Sequence, residues 1–368
     1  MLVQMYYPQS LSPSRLDKYL ASGWFRSSYM LFRSQLMCLD EDIYSLVNIR
    51  LRLEDYQPKK SLRRVWKRCH NRFQVVIRPA IIDKEKEALY QQQKPYFQGF
   101  IFDSLELFMN ANLEKTVFET WEISVYDTRD FPNKLVAVSF FDIGKTSLAS
   151  IIALYDRANY AKYSLGTYTM LLEIEYGIKH HFKFYYSGYI LEHPSPFDYK
   201  LKVGNCQYYN WKGRWKDIHK LSEEIFPIHT LKQKINALEK ELKRQHIPCQ
   251  KFLYPFFSMG YLRFFPERFL KNSLYLFCFY RPQQKKRLVI EYDLEREIYT
   301  LSEAIECPEY GELLPMNLSQ DFSNSMVYYP NLLSYHRTIL SSEIPHEIID
   351  KVLVSRLIPR SGYQMKLF

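Results

Sequence analysis

Residues 135–141, Leu-Val-Ala-Val-Ser-Phe-Phe, are almost continuously apolar. A run of this kind reads as a strand buried on both faces, so the chain must cover both sides of a sheet at this point. A second strand follows closely, Ser147–Tyr155, and Met170, Leu171, Ile174 and Ile178 then recur at helical spacing over Thr167–His180. Phe182–Ile190 returns as a strand interrupted by Ser187 and Gly188. Two tightly joined strands, then loop, helix and strand, is not the order of a strictly alternating nucleotide-binding unit. Ser164, Leu165, Gly166 and Thr167 form the loop before the helix. Backbone N–H groups at such a helix start suit the anionic end of a ligand.

The chain has 368 residues, a length that predicts two or three domains. Tyrosine (31) and phenylalanine (25) far outnumber glycine (11). That balance favours strands and aromatic-lined clefts over a glycine-rich nucleotide fold. The six cysteines form no CxxC pair, so neither a zinc ribbon nor a disulfide framework is readable. The first residues show no basic segment followed by an apolar one, and no apolar run is long enough to span a bilayer. A cytoplasmic protein without membrane contact is expected.

The net charge of +10 is concentrated. Residues 57–82 contain no acidic side chain, and Leu62, Val65, Trp66 and Cys69 recur at amphipathic-helix spacing. The other face carries Lys60, Arg63, Arg64, Lys67 and Arg68, with Lys59 just before it. A solvated helix face is one reading of this pattern. A phosphate backbone is the other, because each neutralised phosphate releases counterions and adds affinity.

Around these segments the chain reads as a short helix over 11–22, a strand over 24–36 carrying Arg26 and Arg33, and a strand over Tyr44–Leu53. Helical sequence follows over 83–115. Residues 117–126 alternate as a half-buried strand whose polar side is Thr120, Glu122 and Ser124. Further on, Leu231, Ile235, Leu238 and Leu242 mark a helix, and residues 273–280 and 287–293 a hairpin. The rest reads as helices and loops without a motif.

Three segments taken together resemble the arginyl-tRNA–protein transferases and their leucyl-transferring bacterial relatives. They are GWFRSSYMLFRS (23–34), LEDYQPKKSLRRVWKRCHNRFQV (53–75), and the series LVAVSFFD (135–142), YDRANYAKYSLGTYTMLLEIEYGIK (155–179), YYSGYI (185–190) and Tyr199-Lys200. The resemblance covers roughly residues 10–216. It implies an α+β fold with a GNAT-like mixed sheet flanked by helices, an N-terminal α/β portion and a C-terminal extension. The corresponding divisions are 1–95, 96–216 and 217–368. It also implies transfer of arginine or leucine from tRNA to the N-terminal amine of a protein, as in N-degron tagging.

Under that resemblance Ser164, Leu165, Gly166 and Thr167 cradle the tRNA 3′ end. Ser187, Gly188 and Tyr199 line the substrate, and Lys59, Lys60, Arg63, Arg64, Lys67 and Arg68 meet the tRNA backbone. Asp142 orients or deprotonates the incoming amine, or is a turn former at a strand end. Tyr189 faces the ester or packs in the core, and Lys200 contacts phosphate or the oxyanion or is a surface lysine. Arg26 and Arg33 read an acceptor carboxylate or form surface pairs on an edge strand.

The family's cysteine-bound metal or iron–sulfur centre is not expected, since Cys38 stands alone where its cluster belongs. Aminoacyl-tRNA is then the co-substrate, no cofactor is required, and oligomeric state is left open. Two other readings compete. One is a GNAT acyltransferase using acyl-CoA, although the loop lacks the Q/R-x-x-G-x-G/A pyrophosphate pattern. The other is an inactive RNA-binding or adaptor protein of the same fold.

Overall fold

The computed structural model describes residues 3–39, 42–97, 101–109, 117–129, 131, 133–192, 194–222, 226–254, 256–257, 268–280, 286–308, 328–329 and 331–354. The chain begins with β1 (Val3–Tyr6), α1 (Pro13–Ala21), β2 (Phe25–Ser27), β3 (Met30–Ser34), β4 (Leu36–Leu39) and β5 (Asp42–Arg52). Then come α2 (Lys60–His70), β6 (Phe73–Pro79), α3 (Lys84–Gln93), α4 (Leu105–Met109), β7 (Thr120–Asp127), β8 (Leu135–Ile143) and β9 (Ser147–Tyr155). After the short α5 (Arg157–Tyr160) follow α6 (Leu165–Lys179), β10 (Phe184–Leu191), β11 (Cys206–Tyr209) and β12 (Trp215–Asp217). The last part contains α7 (Pro227–Arg244), β13 (Gln250–Leu253), β14 (Tyr275–Tyr280), β15 (Lys286–Asp293), β16 (Ile298–Cys307), β17 (Leu332–Ser342) and α8 (Pro345–Val354).

The main sheet has the order β12-β11-β5-β10-β9-β8-β7-β6, with β4 paired to β5. Strands β6 to β9 are successively antiparallel, and β10 returns parallel to β9 after the α6 crossover. This is the strand–loop–helix–strand order expected from the sequence, an α+β mixed sheet with helices on both faces. α6 covers one face. α1 covers the other, where Leu16 and Leu20 pack with Ala149 and Tyr186. The run at 135–141 is buried throughout, since both sides of β8 are covered.

The division expected at residues 95 and 96 runs through this sheet. β5 and β6, from the N-terminal portion, hydrogen-bond to β10, β11 and β7. Nor does the segment from 217 stand apart. α7 buries Ile228, Leu231, Ile235, Leu238 and Leu242 between β5 and a second, five-stranded antiparallel sheet of β13 to β17. Two of its strands, β16 and β17, fall where the sequence read as helix and loop. In β16 the alternation is masked because buried Ser302 and Glu303 interrupt the apolar face.

Three local readings also change. Residues 24–36 are a hairpin of β2 and β3, because Ser28 adopts a left-handed backbone (φ 52°) and reverses the chain. Helical sequence over 83–115 breaks into α3 and α4, with Pro95 in a turn between them. The polar side of β7 is buried, not solvated. Glu122 is fully buried and meets Lys86 of α3 at 3.1 Å and Arg78 at 2.8 Å. Among the described residues, no helix is long and apolar enough to cross a membrane.

The α1 layer is fastened to the sheet by Asp17. Its carboxylate accepts from the Thr146 amide and hydroxyl, both at 2.8 Å, and from the Ser147 hydroxyl at 2.5 Å. A Cβ on Gly144 would stand 2.0 Å from Asp17 Oδ1, so the β8–β9 turn needs a glycine to leave room for the clasp. Gly144→Ala is expected to displace Asp17 and cost about 1–3 kcal/mol. A shift of the urea midpoint checks this, and an unshifted midpoint would show that α1 is held by other means.

Candidate functional site

β9 and β10 are parallel neighbours only over Ser147–Ala149 and Phe184–Tyr186. Beyond those residues β9 runs on to Tyr155 and β10 to Leu191, and the two strands part. The separation begins at a bulge. On β10 the register against β5 slips between Tyr185 and Gly188, and Gly188 has φ 100°. The interruption legible at Ser187 and Gly188 is therefore what opens a fork in the centre of the sheet.

The start of α6 stands at one end of this fork. Ser164 is exposed, left-handed (φ 56°, ψ 49°), and its side chain makes no capping bond. Its carbonyl takes the Thr167 and Tyr168 amides at 3.0 Å, whereas the Leu165 and Gly166 amides have no acceptor among the described residues. Gly166 lets the Tyr155 ring lie against the helix, since a Cβ there would be 3.0 Å from it. Leu165 and Gly166 thus present free amide donors at a helix N-terminus.

Deeper in the fork, α6 aims Glu173 at the sheet. Glu173 is fully buried, and one carboxylate oxygen accepts from the Tyr185 hydroxyl at 2.7 Å. The other oxygen has no partner. Burial pushes its pKa up to about 7, with Tyr185, Ser150 and Ser139 opposing part of the rise. Tyr199 exposes its ring beside this cluster. Its hydroxyl is pushed up to about 12, first by burial and then by Tyr155 and Glu173. The sequence motif ends in Leu-Leu-Glu-Ile-Glu, but nothing in a helical pattern says which of Glu173 and Glu175 turns inward. Only packing identifies Glu173.

Lys200 closes the other side. Its ammonium donates to the Tyr189 carbonyl at 3.1 Å, on the stretch of β10 that β9 no longer pairs. It also lies over the rings of Tyr189 (4.9 Å) and Phe197 (5.0 Å). No carboxylate lies within 4 Å of it among the described residues, and burial lowers its pKa to about 8. The Tyr189 ring packs between Phe25 and Phe197. A Cβ on Gly188 would stand 3.1 Å from Lys200 Nζ.

Asp142 lies elsewhere. It is on the α1 face of the sheet, opposite α6, with 1% of its surface exposed. Arg26 Nη1 reaches it at 2.8 Å and the Thr120 hydroxyl at 2.7 Å. Burial raises its pKa against the pull of Arg26. The two residues expected to touch the amine and the acceptor carboxylate are thus bonded to each other. Arg26 is further tied to the Ser28 and Met109 carbonyls. Arg33 donates to Gln4 and to the Ser22 carbonyl and lies near Trp24 and Trp211, away from the fork.

The basic helix is docked on the start of α6. Cys69 Sγ donates to the Tyr163 carbonyl at 3.2 Å, and the Trp66 ring lies 5.6 Å from that of Tyr168. Lys59, Lys60, Arg63, Arg64, Lys67 and Arg68 are all exposed, and among the described residues none pairs with a carboxylate. Among the described residues no three His, Cys, Asp or Glu side chains gather as a metal site, and the cysteines described are free thiols. The side chain of Cys38 lies outside the described residues.

Comparison with known proteins bears on this region. Residues 70–210 match the family described as arginine-tRNA-protein transferase, C terminus. An aspartate/glutamate leucyltransferase of Cereibacter sphaeroides is 25% identical over 236 residues, covering 63% of this chain and 81% of the relative. Namesakes from Paracoccus denitrificans (24%, covering 62% and 82%) and Campylobacter jejuni (24%, covering 54% and 81%) are similar. Overlaps with solved structures are slighter. FemX gives a TM-score of 0.34 at 7% identity, covering 49% of this chain and 61% of that one. A tandem GNAT protein of clavulanic acid biosynthesis gives 0.30 at 13% identity, covering 54% and 57%.

Removing either member of the buried pair strands the other charge. Asp142→Ala and Arg26→Ala are each expected to cost about 3–5 kcal/mol, and the double variant less than the sum. Additive losses in urea unfolding would show that the two are not coupled. Glu173 predicts a pH effect of definite sign. Folded Glu173 keeps its proton to about pH 7, while the unfolded chain releases it near the ordinary value of 4.5. The stabilisation is full below that ordinary value and is lost as pH rises through 7, a change of about 3 kcal/mol. Glu173→Gln should abolish this decline in urea midpoints measured between pH 5 and 8, and a variant that still declined in parallel with wild type would contradict it.

Proposed function

We propose, on the match of residues 70–210 to the arginine-tRNA-protein transferase family and the modest identity to the leucyltransferases, that the chain is an aminoacyl-tRNA–protein transferase. It moves arginine or leucine from tRNA to the N-terminal amine of an acceptor protein. The curated relatives are named for aspartate and glutamate, and acceptors beginning with those residues are the expected partners. The product is a tagged N-terminus of the kind that marks proteins for degradation, made in the cytoplasm where charged tRNA is available.

The observation that carries this reading is the docking of α2 on the start of α6. Six exposed cations without counter-charges lead to free amides at a helix N-terminus. A tRNA acceptor end needs both, a track for its backbone and a cradle for its 3′ end. The fork then receives the aminoacyl ester. The acceptor amine attacks the ester carbonyl, a C–N bond forms, and the C–O bond to the ribose breaks. One proton leaves the amine, and one returns to the ribose oxygen.

No covalent enzyme intermediate is required, so the site has only to align the two reactants, accept a proton and steady the oxyanion. Glu173 is the group we assign to the proton, because a base works best when its pKa lies near the working pH. Lys200 faces the developing negative charge, and Tyr189 and Tyr199 line the approach. Asp142, which the sequence suggested for the proton, is assigned to holding Arg26 and β2 in place. No step is assigned to a metal or cluster.

Labelled arginyl- or leucyl-tRNA offered with Asp-, Glu- or Met-starting peptides tests the reading. Label should appear in at least one peptide, and no transfer with any pairing would sink it. In the triple variant Arg63→Gln, Arg64→Gln, Lys67→Gln, tRNA binding should weaken. The slope of log K against log salt should flatten by roughly 3 if each cation meets a phosphate. An unchanged slope would remove α2 from the tRNA path.

A further inference from the structure

Arg50 stands on β5 directly across from the bulge of β10, in the register between Leu51–Tyr185 and Ile49–Gly188. Two rings lie against its guanidinium, the centroid of Phe184 at 3.9 Å and that of Trp215 at 4.4 Å. Nε donates to the Gln207 side chain at 2.9 Å and Nη1 to the Tyr186 hydroxyl at 3.3 Å. Nη2 donates to nothing, and no carboxylate pairs with the group among the described residues. Burial lowers its pKa against the pull of Tyr186, and Arg52 lowers it further.

Three guanidiniums whose side chains are only 5–11% exposed are treated differently. Arg26 has Asp142, Arg72 has Asp127 and Arg287 has Glu306, each at 2.8 Å. Taking a cation out of water without a counter-ion is costly, and a fold that supplies three such partners leaves this one open. The two rings lie against the guanidinium, and an anion that meets the free Nη2 approaches in its plane. That approach is the one a carboxylate uses to accept bidentate hydrogen bonds. Arg50 is also one strand away from the fork, roughly 5 Å, and bonds to Tyr186, the last residue of β10 that β9 pairs. It lies on the α1 face of the sheet, opposite the α2–α6 side assigned to tRNA.

We infer that Arg50, walled by Phe184 and Trp215, binds the side-chain carboxylate of the acceptor's first residue and so selects acidic N-termini. The inference rests on the transferase reading for its consequence. An acidic residue's carboxylate and its own α-amine are separated by a few bonds, so a carboxylate held at Arg50 brings that amine to the mouth of the fork. Donor and acceptor then meet from opposite faces of the sheet.

The test uses the full chain and two peptides that differ only in a first residue of Asp or Asn. Wild type should transfer to the Asp peptide with kcat/KM about 100-fold higher, the scale of one buried charge pair. Arg50→Gln should erase most of that preference, lowering Asp transfer about 100-fold and Asn transfer by less than about 3-fold, with tRNA affinity unchanged. Equal losses on both peptides, an undiminished preference, or a fall in tRNA affinity would each overturn the inference. A wild type that transfers nothing would instead refute the transferase reading. The pocket is then decided by peptide binding to wild type alone, followed through tryptophan emission, to which Trp215 contributes. Saturable binding of the Asp peptide at least tenfold tighter than the Asn peptide supports it, and equal affinities overturn it.

Discussion

The parting of β9 and β10 is the constraint from which the rest of this protein follows. A central strand cannot leave its neighbour without exposing backbone groups that need new partners. Here the bulge at Tyr185–Gly188 turns the strand, and Lys200 supplies the replacement donor to the Tyr189 carbonyl. Gly188 is required twice over. Its backbone is left-handed, and a side chain at that position would strike the lysine. Opening the sheet and placing the lysine are therefore a single structural event.

Around that opening the fold handles buried charge in two ways. Where charge is structural it is neutralised, as in Arg26–Asp142, Arg72–Asp127 and Lys86–Glu122. Where it borders the fork it is left incomplete. Glu173 keeps an oxygen without a partner, Lys200 lacks a carboxylate, and Arg50 has aromatic walls in place of a counter-ion. Burial moves the three in the direction of their neutral forms. Perturbed groups gathered at one cleft are the usual mark of a working site, and this contrast is why the proposed chemistry is drawn to the fork and away from Asp142.

Much of the main sheet was legible because its signals are local. An unbroken apolar run such as 135–141 can only be a strand covered twice, and Leu62, Val65, Trp66 and Cys69 can share one face only in a helix. Polar residues misled where a neighbour far along the chain buries them. Glu122 reads as solvated until Lys86 is seen beside it, and Ser302 and Glu303 hide β16 until β17 and Arg337 cover them. Strand pairing is equally invisible to local spacing, since β5 and β6 join strands that lie more than a hundred and about fifty residues away, at β10 and β7.

By itself the sequence determined the strand–loop–helix–strand order, the basic helix, the break at Ser187–Gly188 and the resemblance built on them, all features that spacing along the chain expresses. Only the tertiary structure decided which ionisable groups are paired. Spacing cannot show that Arg26 closes on Asp142 across 116 residues, that Glu173 rather than Glu175 faces the fork, or that Arg50 has no carboxylate partner among the described residues. The energy of a charge depends on the distance to its partner and on the water excluded around it, and both are set by contacts between segments remote in sequence.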